Sequence, residues 1–193
     1  YCSLISAIVG THFAFEHNYV LALFCLMLCG FFDSFDGIVA RSKKDRTEEE
    51  KKFGIQIDSL VDLISFGVYP AIIAYSMGFK SFPCLIIFII YILGAVIRLG
   101  YFNVMEMKRQ QETEESRKYY SGLPITSIAV VLPIVFLART VVCRYFSMLL
   151  HLSMLIVGTL FVVDFRVRKP KNSTIAALVT LVATALLWIG LHR

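Results

Sequence analysis

Charge is scarce in this chain. Only 17% of its 193 residues are Asp, Glu, Lys or Arg, against 58% hydrophobic residues and a mean hydropathy of +0.72. A soluble domain of this length needs far more polar surface, so the shortage argues against a water-soluble globule and for a membrane domain. The period-two alternation of barrel strands is missing as well, and the apolar runs are too long for strands. There are five cysteines, Cys2, Cys25, Cys29, Cys84 and Cys143, but no Cys-x-x-Cys with partner histidines. Zinc therefore lacks a ligand set, and the thiols read as buried and free. His12, His17, His151 and His192 are scattered and form no cluster. No internal repeat, low-complexity tract or signal-peptide pattern is visible, and the simplest reading is one membrane domain over residues 1–193. The chain opens on Tyr1 rather than Met, so a missing native N-terminus is expected.

What is present is a series of long apolar runs. A bilayer core of ~30 Å takes about 20 apolar residues as a helix. Candidate spans cover residues 1–15, 19–35, 57–77, 82–104, 123–142, 145–163 and 174–191. The first looks clipped at its start, and the break between the fifth and sixth, "TVVCRY", is the shortest. The expected fold is an all-α polytopic membrane helix bundle.

The charges that do occur lie between the runs. Lys43, Lys44, Arg46, Lys51 and Lys52 follow the second span. Lys108, Arg109, Arg117 and Lys118 follow the fourth, and Arg166, Arg168, Lys169 and Lys171 follow the sixth. The alternate loops hold little beyond Lys80 and Arg144. The positive-inside rule places the three basic loops in the cytosol. A net charge of +5 and a sequence pI near 9.0 also suit nucleic acid. Here the basic residues adjoin spans and are interleaved with Glu48, Glu49, Glu50, Glu112, Glu114 and Glu115. Topology setting and attraction to anionic lipid account for them, and no nucleic-acid partner is expected.

Four aspartates flank the first basic loop. Asp33 and Asp36 are three apart, Asp58 and Asp62 four apart, so each pair shares a helix face. If the second and third spans pack as an antiparallel hairpin, the two faces meet at the cytosolic surface. A single Asp at a helix end is usually a solvated cap, and two at this spacing are often plain surface. Four converging carboxylates repel, and hard divalent cations such as Mg²⁺ or Mn²⁺ relieve that conflict. Two such ions ~3.5–4 Å apart form the clamp known for phosphoryl transfer. Gly37 and Ala40, with Gly54 one turn before Asp58, leave a shallow surface for a flat or phosphorylated ligand. Arg41 adds positive charge beside it, which suits a nucleotide and its phosphates.

Together these positions spell D-x2-D-G-x2-A-R followed by G-x3-D-x3-D, which resembles the signature of the CDP-alcohol phosphotransferases. All eight fixed positions are filled, by Asp33, Asp36, Gly37, Ala40, Arg41, Gly54, Asp58 and Asp62. The spacer of residues 42–53 is longer than usual, implying a longer cytosolic loop. The resemblance implies a six-helix core over about residues 1–168, usually homodimeric, with residues 174–191 as an additional C-terminal membrane helix. It also implies that an alcohol attacks the β-phosphate of a CDP-linked donor and releases CMP. Asp33, Asp36, Asp58 and Asp62 are then the metal ligands, holding Mg²⁺ or Mn²⁺, and Asp62 is the general base. The nucleotide is expected on Asp33, Gly37, Ala40, Arg41 and Gly54. A polar residue that the family carries before its first span would fall upstream of Tyr1.

Within the family the wider chain is similar to the integral-membrane phosphatidylserine synthase branch. "DSLVDLISFGVYPA" continues the motif, and "RLGYFNV" and "YSGLPIT" agree. That branch implies CDP-diacylglycerol and L-serine as substrates, CMP as a product, and a role in phospholipid biosynthesis. The site would sit at the cytosolic face, of the cell membrane in a prokaryote. Relatives that accept glycerol 3-phosphate, inositol phosphate or choline, or an archaeal ether-lipid donor, would use the same aspartates. No H-x-K occurs, so the phospholipase-D-like serine synthases are a poor match.

Arg98 lies inside the fourth span. It either snorkels or faces the aspartate pocket, where its fork suits a lipid phosphate or the serine carboxylate. Asn103 either assists there or caps a helix end. "SGLP" reads as the start of the fifth helix, with Pro124 in its first turn. A divalent-cation transporter is the rival reading. It leaves Gly37, Ala40, Arg41 and Gly54 unexplained, and the spans offer no acidic residue at mid-depth or on the far side to continue a pathway.

Overall fold

A computed structural model describes residues 1–42, 47–77, 82–112 and 119–168, together with residues 180, 182, 184 and 185. It is an all-α bundle whose described part has six helical legs. The first two form a hairpin, α1 (Cys2–Phe15) and α2 (Tyr19–Ser42). The buried face of α1 is Ser3, Ser6, Ala7, Gly10 and Ala14, all small and at helical spacing, so α2 approaches closely. The connection is short, and His17 takes a positive φ of 58° in it.

The third leg is compound. It comprises α3 (Glu48–Asp62), a π-helical turn (Leu63–Val68) and α4 (Tyr69–Ser76). Helix α3 starts in the polar loop, well before the apolar run begins. Thr47 explains this: its hydroxyl accepts from the Glu50 N–H at 3.2 Å, and the Glu50 carboxylate accepts from the Thr47 N–H at 3.1 Å. That reciprocal capping box nucleates a helix in water without help from the membrane. The fourth leg, α5 (Phe82–Glu112), likewise outruns its apolar stretch.

The fifth leg enters through a tight turn (Ile125–Ser127) and continues as α6 (Ile128–Leu137) and the short α7 (Arg139–Val142). Pro124 precedes the first turn in an extended conformation, with φ −62° and ψ 139°, rather than sitting inside it. At Cys143, with φ 31°, the chain reverses through Cys143–Tyr145 into the sixth leg, α8 (Phe146–Val162). The Leu123 N–H donates to the Leu160 carbonyl at 3.4 Å, which places the start of one leg beside the end of the other. The short "TVVCRY" break is therefore a true hairpin, although residues 125–162 are helical almost throughout.

One short ribbon accompanies the helices. Tyr119–Ser121 (β1) pairs antiparallel with Arg166–Arg168 (β2). These trios lie outside the apolar runs, where hydropathy periodicity carries no signal, and three residues are too few for a period to register. Gly122 follows β1 at φ 76°, and its N–H donates to the Phe165 carbonyl at 2.6 Å. The seventh candidate span lies outside the described residues, apart from four helical positions.

Glu49–Ser76, Phe82–Met107 and, counted across the reversal at Cys143, Ile125–Val162 are long and apolar enough to cross a membrane, and Cys2–Phe15 and Tyr19–Phe35 are shorter apolar helices. Several polar groups inside the bundle find partners within it, which replaces the water that is absent there. Ser3 Oγ donates to Ser65 Oγ at 3.0 Å, Ser6 Oγ to the Cys25 carbonyl at 2.9 Å, and Tyr69 Oη to the Ala22 carbonyl at 2.6 Å. All five cysteines are free. Cys25, Cys29 and Cys84 are buried as expected, but Cys2 and Cys143 are exposed, one at the first turn of α1 and one at the reversal after α7.

Candidate active site

The hairpin partners expected from the aspartate spacing do meet. Asp33, in the second half of α2, and Asp58 and Asp62, at the end of α3, each offer a carboxylate oxygen, and these oxygens all lie within 4.8 Å of one another. Asp33 and Asp62 are half-buried, and Asp58 is exposed. Three negative charges at this separation repel strongly unless a cation is shared among them. The donor set is all oxygen and partly open to water, which fits a hydrated hard divalent ion. Asp62 stands within the same cluster as Asp33 and Asp58.

Asp36, Gly37, Ala40 and Arg41 follow Asp33 on α2, and their side chains lie outside the described ones. Gly54 is on α3, and a Cβ there would meet no described atom within 4 Å. Its face is open, which suits a ligand approaching the helix backbone.

Asn103 is not at a helix end, because α5 runs on to Glu112. It is buried at 9% exposure, and its Oδ1 accepts from Ser59 Oγ at 2.6 Å. Ser59 is the residue after Asp58, so this bond ties α3 to α5 beside the carboxylates. Sequence reasoning passed over Ser59, although its place next to Asp58 was a usable signal.

Arg98 does not snorkel: it is buried, at 7% exposure. It lines a cavity of about 240 Å³ with Ile97, Tyr101, Phe161, Val162, Val163 and Asp164. Gly122 closes over it, since a Cβ there would lie 3.3 Å from Arg98 Nη1 and 2.9 Å from the Val163 carbonyl oxygen. The "YSGLPIT" stretch thus packs against Arg98 through Gly122. Asp164, just past α8, was also missed, because one acid after a span reads as ordinary surface. The cavity walls hold one basic and one acidic side chain, Arg98 and Asp164.

The sequence matches the CDP-alcohol phosphatidyltransferase family over residues 1–163. Among curated proteins it is similar to the CDP-diacylglycerol–serine O-phosphatidyltransferase of Saccharomyces cerevisiae, at 35% identity over 140 residues, covering 71% of this chain and 49% of the relative. The like-named protein of Helicobacter pylori is 33% identical over 133 residues, covering 67% of this chain and 51% of the relative. That of Methanocaldococcus jannaschii is 31% identical over 165 residues, covering 80% and 71%. The chain thus spans about half the length of the yeast and Helicobacter relatives and most of the archaeal one. With the apolar legs, the paired aspartates and this match over most of its length, the chain is an integral membrane protein that belongs to the CDP-alcohol phosphatidyltransferase family.

Proposed function

We propose that this chain transfers the phosphatidyl group of CDP-diacylglycerol to the hydroxyl of L-serine, giving phosphatidylserine and CMP. The observation that carries the reading is the convergence of Asp33, Asp58 and Asp62 from the two halves of the motif. The names of the relatives support serine as acceptor. The basic loops support a cytosolic site. One membrane domain with a catalytic core over about residues 1–168, an additional helix at 174–191 and a homodimeric assembly complete the proposal.

Asp33, Asp36, Asp58 and Asp62 would hold Mg²⁺ or Mn²⁺, two ions in all, which when bound neutralise charge on the phosphates and stabilise departing CMP. The surface of Gly37, Ala40, Arg41 and Gly54, with Asp33, takes the nucleotide. The serine oxygen bonds to the β-phosphorus, the P–O bond to CMP breaks, and the hydroxyl proton passes to the Asp62 carboxylate. Arg98 holds the serine carboxylate through its planar fork. Asn103 steadies that region through Ser59.

The test is CMP release from CDP-diacylglycerol by the purified chain in detergent with Mg²⁺ or Mn²⁺, across a panel of alcohols. Serine is expected to support turnover, and glycerol 3-phosphate, inositol phosphate and choline are not. Turnover with another alcohol but not with serine would reassign the acceptor. Arg98→Lys is expected to raise the serine KM about tenfold with a smaller change in kcat, because a point charge replaces a bidentate fork. An unchanged serine KM would move Arg98 to the lipid phosphate or to packing.

A further inference from the structure

The third leg changes its winding directly after Asp62. In an α-helix the Phe66 carbonyl would accept from the amide of residue 70. Residue 70 is Pro70, which has no N–H and whose ring presses on that carbonyl. The helix relieves the clash by widening over Leu63–Val68, where the Tyr69 N–H donates five residues back to the Ile64 carbonyl. Tyr91 of α5, fully buried, donates its hydroxyl to the Phe66 carbonyl at 2.5 Å. At this depth no water can replace that donor. Gly67 lets the widened turn lie against α5, since a Cβ there would be 3.3 Å from the Ala95 Cβ.

The widening has a rotational consequence. A π-turn takes in one residue more than an α-turn, and one residue corresponds to ~100° about the axis. Asp62 and Tyr69 are seven apart, so an unbroken helix would put them within ~20° of one another. With the extra residue they lie ~120° apart. Above the turn, Tyr69 buries its ring beside Gly10 and donates to the Ala22 carbonyl. Below it, Asp58 and Asp62 meet Asp33.

We infer that Tyr91 is a positioning residue: its hydroxyl, with Pro70, holds the π-turn that rotates Asp58 and Asp62 toward Asp33. The consequence for metal rests on the reading above that these carboxylates are the ligands. Tyr91 reaches the cluster only through the backbone of the turn, and its ring is otherwise occupied by Phe161 at 5.5 Å between centroids.

Two substitutions test this in the full chain in detergent. Tyr91→Phe removes the donor and keeps the ring. Pro70→Ala removes the clash and restores an amide for Phe66, so the leg can rewind as an α-helix without losing a hydrogen bond. The register is read without metal, by the rate of oxidative cross-linking between positions 33 and 62 in an Asp33→Cys/Asp62→Cys background, with the linked peptides identified by mass spectrometry. Each substitution is expected to slow that cross-link several-fold. With the native aspartates restored, each should weaken Mn²⁺ binding, read from the free-ion paramagnetic resonance signal, about tenfold. Cross-linking at the unsubstituted rate in both variants would overturn the inference, whether or not melting temperature falls. Slowed cross-linking in a chain that binds no Mn²⁺ even unsubstituted would leave the register inference standing and sink the metal reading.

Discussion

Replacing Asp33 or Asp58 by Asn is expected to lower kcat/KM by on the order of a thousandfold or more, while the protein still purifies as a folded membrane protein. Asn keeps the shape of Asp and removes its charge. The loss therefore reports the cation that the charge would hold, not packing. The side chains meet at a partly open surface, so the neutral variants incur little burial cost. Asp62→Asn should behave differently in one respect. If Asp62 takes the serine proton, CDP-diacylglycerol binding should survive largely intact while product formation nearly vanishes. Excess chelator should abolish turnover of the unsubstituted chain, and Mg²⁺ or Mn²⁺ should restore it. Full activity in chelator would refute a metal role for the cluster. Near-normal kcat in Asp62→Asn would remove Asp62 from the base role.

The aspartate cluster was legible in the sequence because it depends on local geometry. Three- and four-residue spacings fix which side chains share a face, and a hairpin joining two apolar runs brings the faces together. The ends of the helices were less legible. Hydropathy reports the depth of the bilayer, not the extent of a helix, so α3 and α5 were placed too short at their polar ends. For α3 the missing signal was in plain view as Thr47 and Glu50, the two ends of a capping box. The capping alternative for Asn103 falls away for the same reason, because α5 continues past it to Glu112. Other features needed the third dimension. Pro70 warns of a disturbed helix, but only the partner leg reveals that Tyr91 supplies the lost donor. Arg98 could be placed at a depth but not on a face, since its run is apolar all round and shows no preferred side. The ribbon of β1 and β2 joins segments 47 residues apart in register, Tyr119 with Arg168 down to Ser121 with Arg166, and no local pattern announces such a pairing.

Gly94→Ala is expected to destabilise the protein strongly, although it adds one methyl group to a helix. A Cβ on Gly94 would run into the carbonyl oxygen of Gly158, and one on Gly158 would lie 2.8 Å from the Tyr91 Cα. Both obstacles are backbone and cannot swing aside. Legs in a membrane gain no hydrophobic drive from each other and depend on such close approach. Overpacking of this kind costs about 1–3 kcal/mol, and Val at the same position should cost more. Gly100, six residues along the same helix, is the internal control. No described atom lies within 4 Å of a Cβ there, so Gly100→Ala should be neutral or stabilise by up to about 1 kcal/mol through helix propensity. The contrast separates the interface from the intrinsic cost of altering α5. The effect should extend to the site, because α5 supplies Ile97, Arg98 and Tyr101 to the cavity while α8 and the residues after it supply Phe161, Val162, Val163 and Asp164. Forcing the two legs apart moves one wall from the other. Melting temperature in detergent should therefore fall for Gly94→Ala but not for Gly100→Ala, and the serine KM should rise with it. A Gly94→Ala chain as stable as Gly100→Ala would mean that α5 and α8 do not pack backbone to backbone, and the cavity they enclose would lose its basis.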